Sequence, residues 1–170
     1  MRTILVNVVA FLIAVLLQVM VAPYIAIGGV SPNFLMITVI IMALAEGANT
    51  GTVLGFIAGL LFDLLGAGPV GPMALVLSVT GYITGLVQEN LFAEGWLLPV
   101  AIITGATFAS EILYMIVILF MGTQTSLWGA FIGIVLPSTL YNAVCATIVC
   151  PILTRALRDN ASPVIFSSIR

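Results

Sequence analysis

The sequence predicts an all-α membrane protein built from six transmembrane helices, and three observations point there. First, 62% of the 170 residues are hydrophobic and only 6% are charged, with a mean hydropathy of +1.33. A soluble domain carries about 25% charged residues, so this surface is made for lipid. Second, the apolar runs are long and continuous, as from Ile112 to Met121, whereas a membrane barrel needs alternation within segments of roughly ten residues. Lipid offers no partner to a backbone N–H or C=O, and helices satisfy those groups internally. Third, Pro, Gly and polar residues cut the chain into six apolar segments.

Helix one is expected over 2–21. Its run from Ile4 to Ala22 is long enough to cross ~30 Å of hydrocarbon at ~1.5 Å per residue. Arg2 before an apolar run also begins a secretory signal, but this run is longer than a usual signal core and no small-residue cleavage site follows. We therefore expect a retained first helix. Pro23 to Pro32 reads as a loop, and helix two is expected over 32–46, short for a span. Asn49 and Thr50 are candidate N-caps for helix three over 50–65. The Gly/Pro-rich turn from Gly66 to Pro72 leads to helix four over 72–89, and a polar-aromatic link from Asn90 to Trp96 precedes helix five over 97–121. After a loop from Gly122 to Ser126, helix six is expected over 128–153, with Pro137 as a kink. Residues 1–155 thus form one transmembrane domain and 156–170 a short cytoplasmic tail.

Orientation follows from the arginines. Arg2 lies at the start, and Arg155, Arg158 and Arg170 at the finish. Six spans put both ends on one side, and basic residues mark that side as cytoplasmic. Tyr24, Phe92, Trp96 and Trp128 fall near expected helix ends, where an aromatic belt sits.

Composition also excludes functions. With no lysine, no histidine and no basic cluster, the chain has no footprint for nucleic acid and no polybasic lipid-binding segment. It has no histidine base, no Gly-x-Ser-x-Gly elbow and no phosphate loop, so we expect neither an enzyme nor a cofactor or metal. Cys145 and Cys150 lie five residues apart on one helix and point in different directions, as small apolar side chains rather than a disulfide or metal pair.

Two patterns carry candidate chemistry. Gly47, Gly51, Gly55 and Gly59 recur every four residues, followed four later by Asp63. Small residues so spaced form a groove for close helix approach, either within the bundle or toward a partner's helix. Gly81/Gly85, Gly129/Gly133 and Ala101/Gly105/Ala109 repeat the theme. Glu111 falls near the middle of helix five, where a charge costs about 2.5–3.5 kcal/mol, so it should face inward, be protonated, or both. Thr104, Thr107, Glu111 and Tyr114 form one stripe, expected to meet Ser138, Asn142 and Cys145 of helix six and Ser78 and Tyr82 of helix four. Such an interior serves either as a solute or proton site or as a network fixing helix register.

The run Gly55-Phe56-Ile57-Ala58-Gly59-Leu60-Leu61-Phe62-Asp63, with Ser31-Pro32-Asn33-Phe34-Leu35, Gly71, Gln18, Pro137-Ser138, Tyr141-Asn142 and Pro151 to Arg155, resembles the bacterial rod-shape-determining MreD family. The likeness extends over almost the whole chain. It implies a non-enzymatic scaffold of the cell-elongation machinery in the bacterial inner membrane, binding the single transmembrane helix of MreC and, through it, peptidoglycan synthases and MreB filaments. That family also resembles the six-helix S-components of energy-coupling-factor transporters. On the scaffold reading, Gly51, Gly55, Gly59, Asp63 and Gly71 bind the partner, Asp63 alternatively only tying down the turn that follows it. On the other reading, the chain is a solute-binding subunit, Glu111, Thr107, Ser138 and Asn142 line the pocket, and Ala10 and Ala14 offer a coupling subunit an Ala-x-x-x-Ala contact.

Overall fold

The computed structural model describes residues 2–66, 68–90, 97–122 and 127–157. Among them the protein is a bundle of six helices with no strand. These are α1 Arg2–Met20, α2 Phe34–Glu46, α3 Ala48–Leu65, α4 Pro72–Asn90 and α5 Leu97–Phe120. The sixth, α6, runs on as Leu127–Ala130, a π turn at Phe131–Val135, and Leu136–Leu157. Within the described residues, Ala48–Leu65, Val100–Phe120 and Trp128–Leu153 are long and apolar enough to cross a membrane, and Asn7–Met20, Phe34–Glu46 and Pro72–Val87 are shorter apolar helices.

The organising element is α2. Every residue from Phe34 to Ala45 is buried, and a helix apolar all round belongs in the middle of a bundle. All five other helices pack against it. Leu35, Ile37, Ile40, Ile41 and Met42 form the core with Ala14 of α1, Ala58 of α3, Leu77 of α4, Ile103 of α5 and Ala146 of α6. The outer faces stay apolar too, with Leu12, Phe56, Ile83 and Leu140 more than half exposed. A continuous apolar exterior is stable only against lipid.

Local chemistry shifts several expected boundaries. Helix two begins at Phe34 rather than Pro32, because Asn33 takes the N-cap and its Oδ1 accepts the Met36 N–H at 2.9 Å. Helix three begins at Ala48, so Asn49 and Thr50 lie inside it and do not cap it. Gly47 alone joins α2 to α3: its N–H closes on the Ala43 carbonyl, and its φ of +88° allows the reversal. The disturbance expected at Pro137 falls one turn earlier. Proline has no N–H and its ring crowds the carbonyl four residues before it, and here the chain widens into the π turn, with the Leu136 N–H reaching the Phe131 carbonyl. Tyr24 is 88% and Trp128 75% exposed at helix ends. Phe92, Trp96 and the tail from 158 onward lie outside the described residues.

Candidate functional site

The glycine ladder is consumed inside the chain. A Cβ on Gly51 would meet the Gly81 carbonyl and the Ala43 side chain; on Gly55, the Leu77 carbonyl; on Gly59, the Met73 carbonyl and Ala74. From the other side, Gly81 faces Gly51, and Gly85 faces Ala48. The two backbones of α3 and α4 therefore touch along the seam, which is what small residues at this spacing permit. This corrects the expectation of an open groove at Gly51, Gly55 and Gly59: α4 of the same chain fills it. The analogous small residues on α5 and α6 are not used so, since Gly105 and Gly133 have nothing within 4 Å of a built Cβ.

Asp63 closes that seam at one end. It is 5% exposed, and its Oδ2 accepts the N–H groups of Gly71 at 2.8 Å, Met73 at 3.1 Å and Ala74 at 3.2 Å. The start of a helix leaves four N–H groups without intrahelical partners. Here Gly71 precedes α4, Pro72 is its first residue and has no N–H, and Asp63 takes the remaining three. A side chain of α3 thus caps α4 completely, and its negative charge sits against the positive end of that helix. Gly71, at φ +120°, supplies the backbone conformation that a side chain would strain.

The second constellation surrounds Glu111. Its Oε1 accepts the Ser138 hydroxyl at 2.5 Å and the Asn142 Nδ2–H at 3.2 Å. Asn142, fully buried, accepts the Asn33 N–H on its Oδ1 at 2.7 Å. Next along, Gln18 Oε1 accepts the Phe34 N–H at 2.8 Å, and Tyr141 donates to the Ile25 carbonyl at 2.5 Å. The chain runs from α5 through α6 to the N-terminus of α2. That terminus is buried because α2, with 13 residues, extends only about 20 Å against ~30 Å of hydrocarbon. Gln18, Asn33 and Asn142 answer its free donors. Composition and spacing alone give no such role to Gln18, Asn33 or Tyr141; the signals present are a lone polar residue in an apolar helix for Gln18 and a cap-type side chain just before α2 for Asn33.

Other expected members lie elsewhere. Thr107 is buried, but its hydroxyl bonds its own helix at the Ile103 carbonyl. Ser78 bonds the Ala74 carbonyl and Tyr82 is 47% exposed, so α4 does not reach Glu111 through them. It meets α5 instead through the buried hydroxyl pair of Thr80 and Ser110, 2.8 Å apart. Cys145 is half-buried at the edge of the core. Ala14 is buried in that core, and Ala10 is partly buried against it. Glu111 and Tyr114 line a cavity of about 90 Å³ with Met115, Ile118, Ala130 and Ile134, beside the π turn. At the opposite end of the bundle, Asn7 Nδ2 donates to Glu46 at 2.5 Å. Among the described residues no group of three Cys, Asp or Glu side chains is placed to hold a metal.

No curated protein and no solved structure matches this chain. The family model described as rod shape-determining protein MreD matches residues 1–159, a span that contains all six helices, the Asp63 cap and the Glu111 network. The chain belongs to the rod shape-determining MreD family.

Proposed function

We propose that the chain is a non-enzymatic scaffold of the bacterial cell-elongation machinery, crossing the inner membrane six times with both termini cytoplasmic. Its partner is a single-span MreC-like protein, which connects it indirectly to peptidoglycan synthases and MreB filaments. The observation that carries this reading is the family match over residues 1–159. Two features of the bundle support it. The exterior is apolar across several helices, as suits a protein that meets others within lipid. The seam between α3 and α4 is closed, and Asp63 holds the turn before α4 in one shape. With the glycine groove filled, the partner contact moves to the exposed tip of that hairpin, where Val70 is 57% exposed. A solute-binding role has less support, because the 90 Å³ beside Glu111 is below the roughly 300–1,000 Å³ of small-molecule sites.

Val70→Asp tests the contact without touching the seam. The variant should accumulate and melt like the parent yet lose most copurifying MreC-like protein. Undiminished recovery of that partner would remove the hairpin tip from the proposal.

A further inference from the structure

The network around Glu111 leaves two polar atoms without a partner, and both belong to residues that line the same space. Glu111 Oε1 takes the bonds from Ser138 and Asn142, so Oε2 accepts neither. Among the described residues the Tyr114 hydroxyl forms no hydrogen bond either, and neither atom is sealed within the protein. Glu111 and Tyr114 line the cavity of about 90 Å³ between α5 and the π turn. We propose that this cavity is a water-binding site, in which about three waters hydrate Glu111 from the end of the bundle that carries the α5–α6 connection.

Size and lining both suit water. A water takes up about 30 Å³ in the liquid and stays in a cavity that offers it polar partners. Oε2 is an acceptor, and the phenol is both donor and acceptor. Glu111 and Tyr114 are three residues apart on one face of α5, close enough for a water to bridge them. Met115, Ile118, Ala130, Ile134 and Val135 close the rest with apolar side chains.

The demand for water comes from charge. Glu111 lies nine residues before the end of α5 at Phe120, about 14 Å along the helix and so near the middle of a ~30 Å hydrocarbon layer. A carboxylate there is costly unless it is paired or solvated. The side chains that bond it, Ser138 and Asn142, are neutral. The chain's basic residues are arginines near its two ends. Arg155 lies 17 residues beyond Ser138 in α6, about 25 Å along the helix. Arg2 lies 16 residues before Gln18 in α1, about 24 Å from the level of the network.

The cavity also leads toward the aqueous phase. Its α5 wall runs from Glu111 through Tyr114 and Met115 to Ile118, about 10 Å, and stops two residues short of the exposed Phe120. Its α6 wall is the start of that helix, from Ala130 to Val135. The π turn thus forms one side of the water path as well as relieving Pro137.

The test is water-edited solid-state NMR of the full chain in lipid vesicles, with isotopically labelled glutamate, tyrosine and isoleucine. Glu111→Gln and Tyr114→Phe assign the two signals. The Glu111 carboxyl and the Tyr114 ring should receive magnetisation from water severalfold faster than the fully buried side chains of Ile40 and Ile103. Ala130→Leu, from a buried position, and Ile134→Trp, from an exposed one, fill the cavity and should slow that transfer severalfold. Ile132→Trp, exposed and outside the lining, should leave it unchanged. Transfer to Glu111 as slow as to Ile40, or unchanged in both filling variants, would overturn the proposal. So would transfer to Glu111 from lipid acyl chains in place of water.

Discussion

Asp63→Ala removes the complete cap of α4 and should be among the most damaging single changes in the chain. Three N–H donors, on Gly71, Met73 and Ala74, lose their acceptor at once, and Pro72 between them offers no alternative geometry. Leaving one buried donor unpaired costs about 1–3 kcal/mol. Gly71 is only partly buried, so water can recover part of its share, and the three losses are not independent. A total of about 3–5 kcal/mol follows, including the ~0.5–1 kcal/mol from the carboxylate at the helix N-terminus. Asp63→Asn keeps an acceptor oxygen and loses the charge, so it should cost about 1–2 kcal/mol. Reversible unfolding in mixed detergent micelles, monitored by helicity, measures both. The parent, Asn and Ala variants should fall in that order. An Ala variant within about 0.5 kcal/mol of the parent would refute the idea that Asp63 is the cap of α4.

Two further outcomes follow from the same contacts. Gly55→Val places a side chain where the Leu77 carbonyl lies, so α3 and α4 must separate; a loss of more than about 3 kcal/mol is expected in the same unfolding assay, against less than about 1 kcal/mol for Gly105→Val, which has open space. Glu111→Gln preserves an acceptor for Ser138 and Asn142 and should stay within about 1 kcal/mol of the parent, while Glu111→Leu strands both donors and should cost about 2 kcal/mol; equal loss in the two variants would show that the charge, and not the hydrogen bonding, is what matters at this position.

The all-helical class and its six helices were legible in composition and punctuation, since lipid tolerates few alternatives to a continuous apolar helix. Asp63 was legible as a residue with either a partner or a capping role. The ambiguity persisted because a glycine ladder specifies close approach and is silent on which helix approaches. The structure supplies α4, whose Gly81 and Gly85 were visible as a second small face with no stated mate. The burial of the short α2 was not legible. Apolar residues serve a lipid-facing helix and a central one equally, and only the positions of Gln18, Asn33 and Asn142 around its N-terminus distinguish the two. The start of α3 was misplaced for a related reason: Asn49 and Thr50 have the right side chains for caps, but Gly47, with positive φ, had already turned the chain. Thr107 was grouped with Glu111 by spacing alone, although a threonine in an apolar helix can satisfy its hydroxyl on its own backbone.

The central claim, that this MreD-family chain works by holding a single-span partner, is tested most directly by affinity purification from native membranes in mild detergent, with mass spectrometry of both proteins and small molecules. The account predicts stoichiometric recovery of a single-span MreC-like protein that falls away in Val70→Asp. A stoichiometric solute recovered with an ATPase module, and no single-span partner, would contradict it.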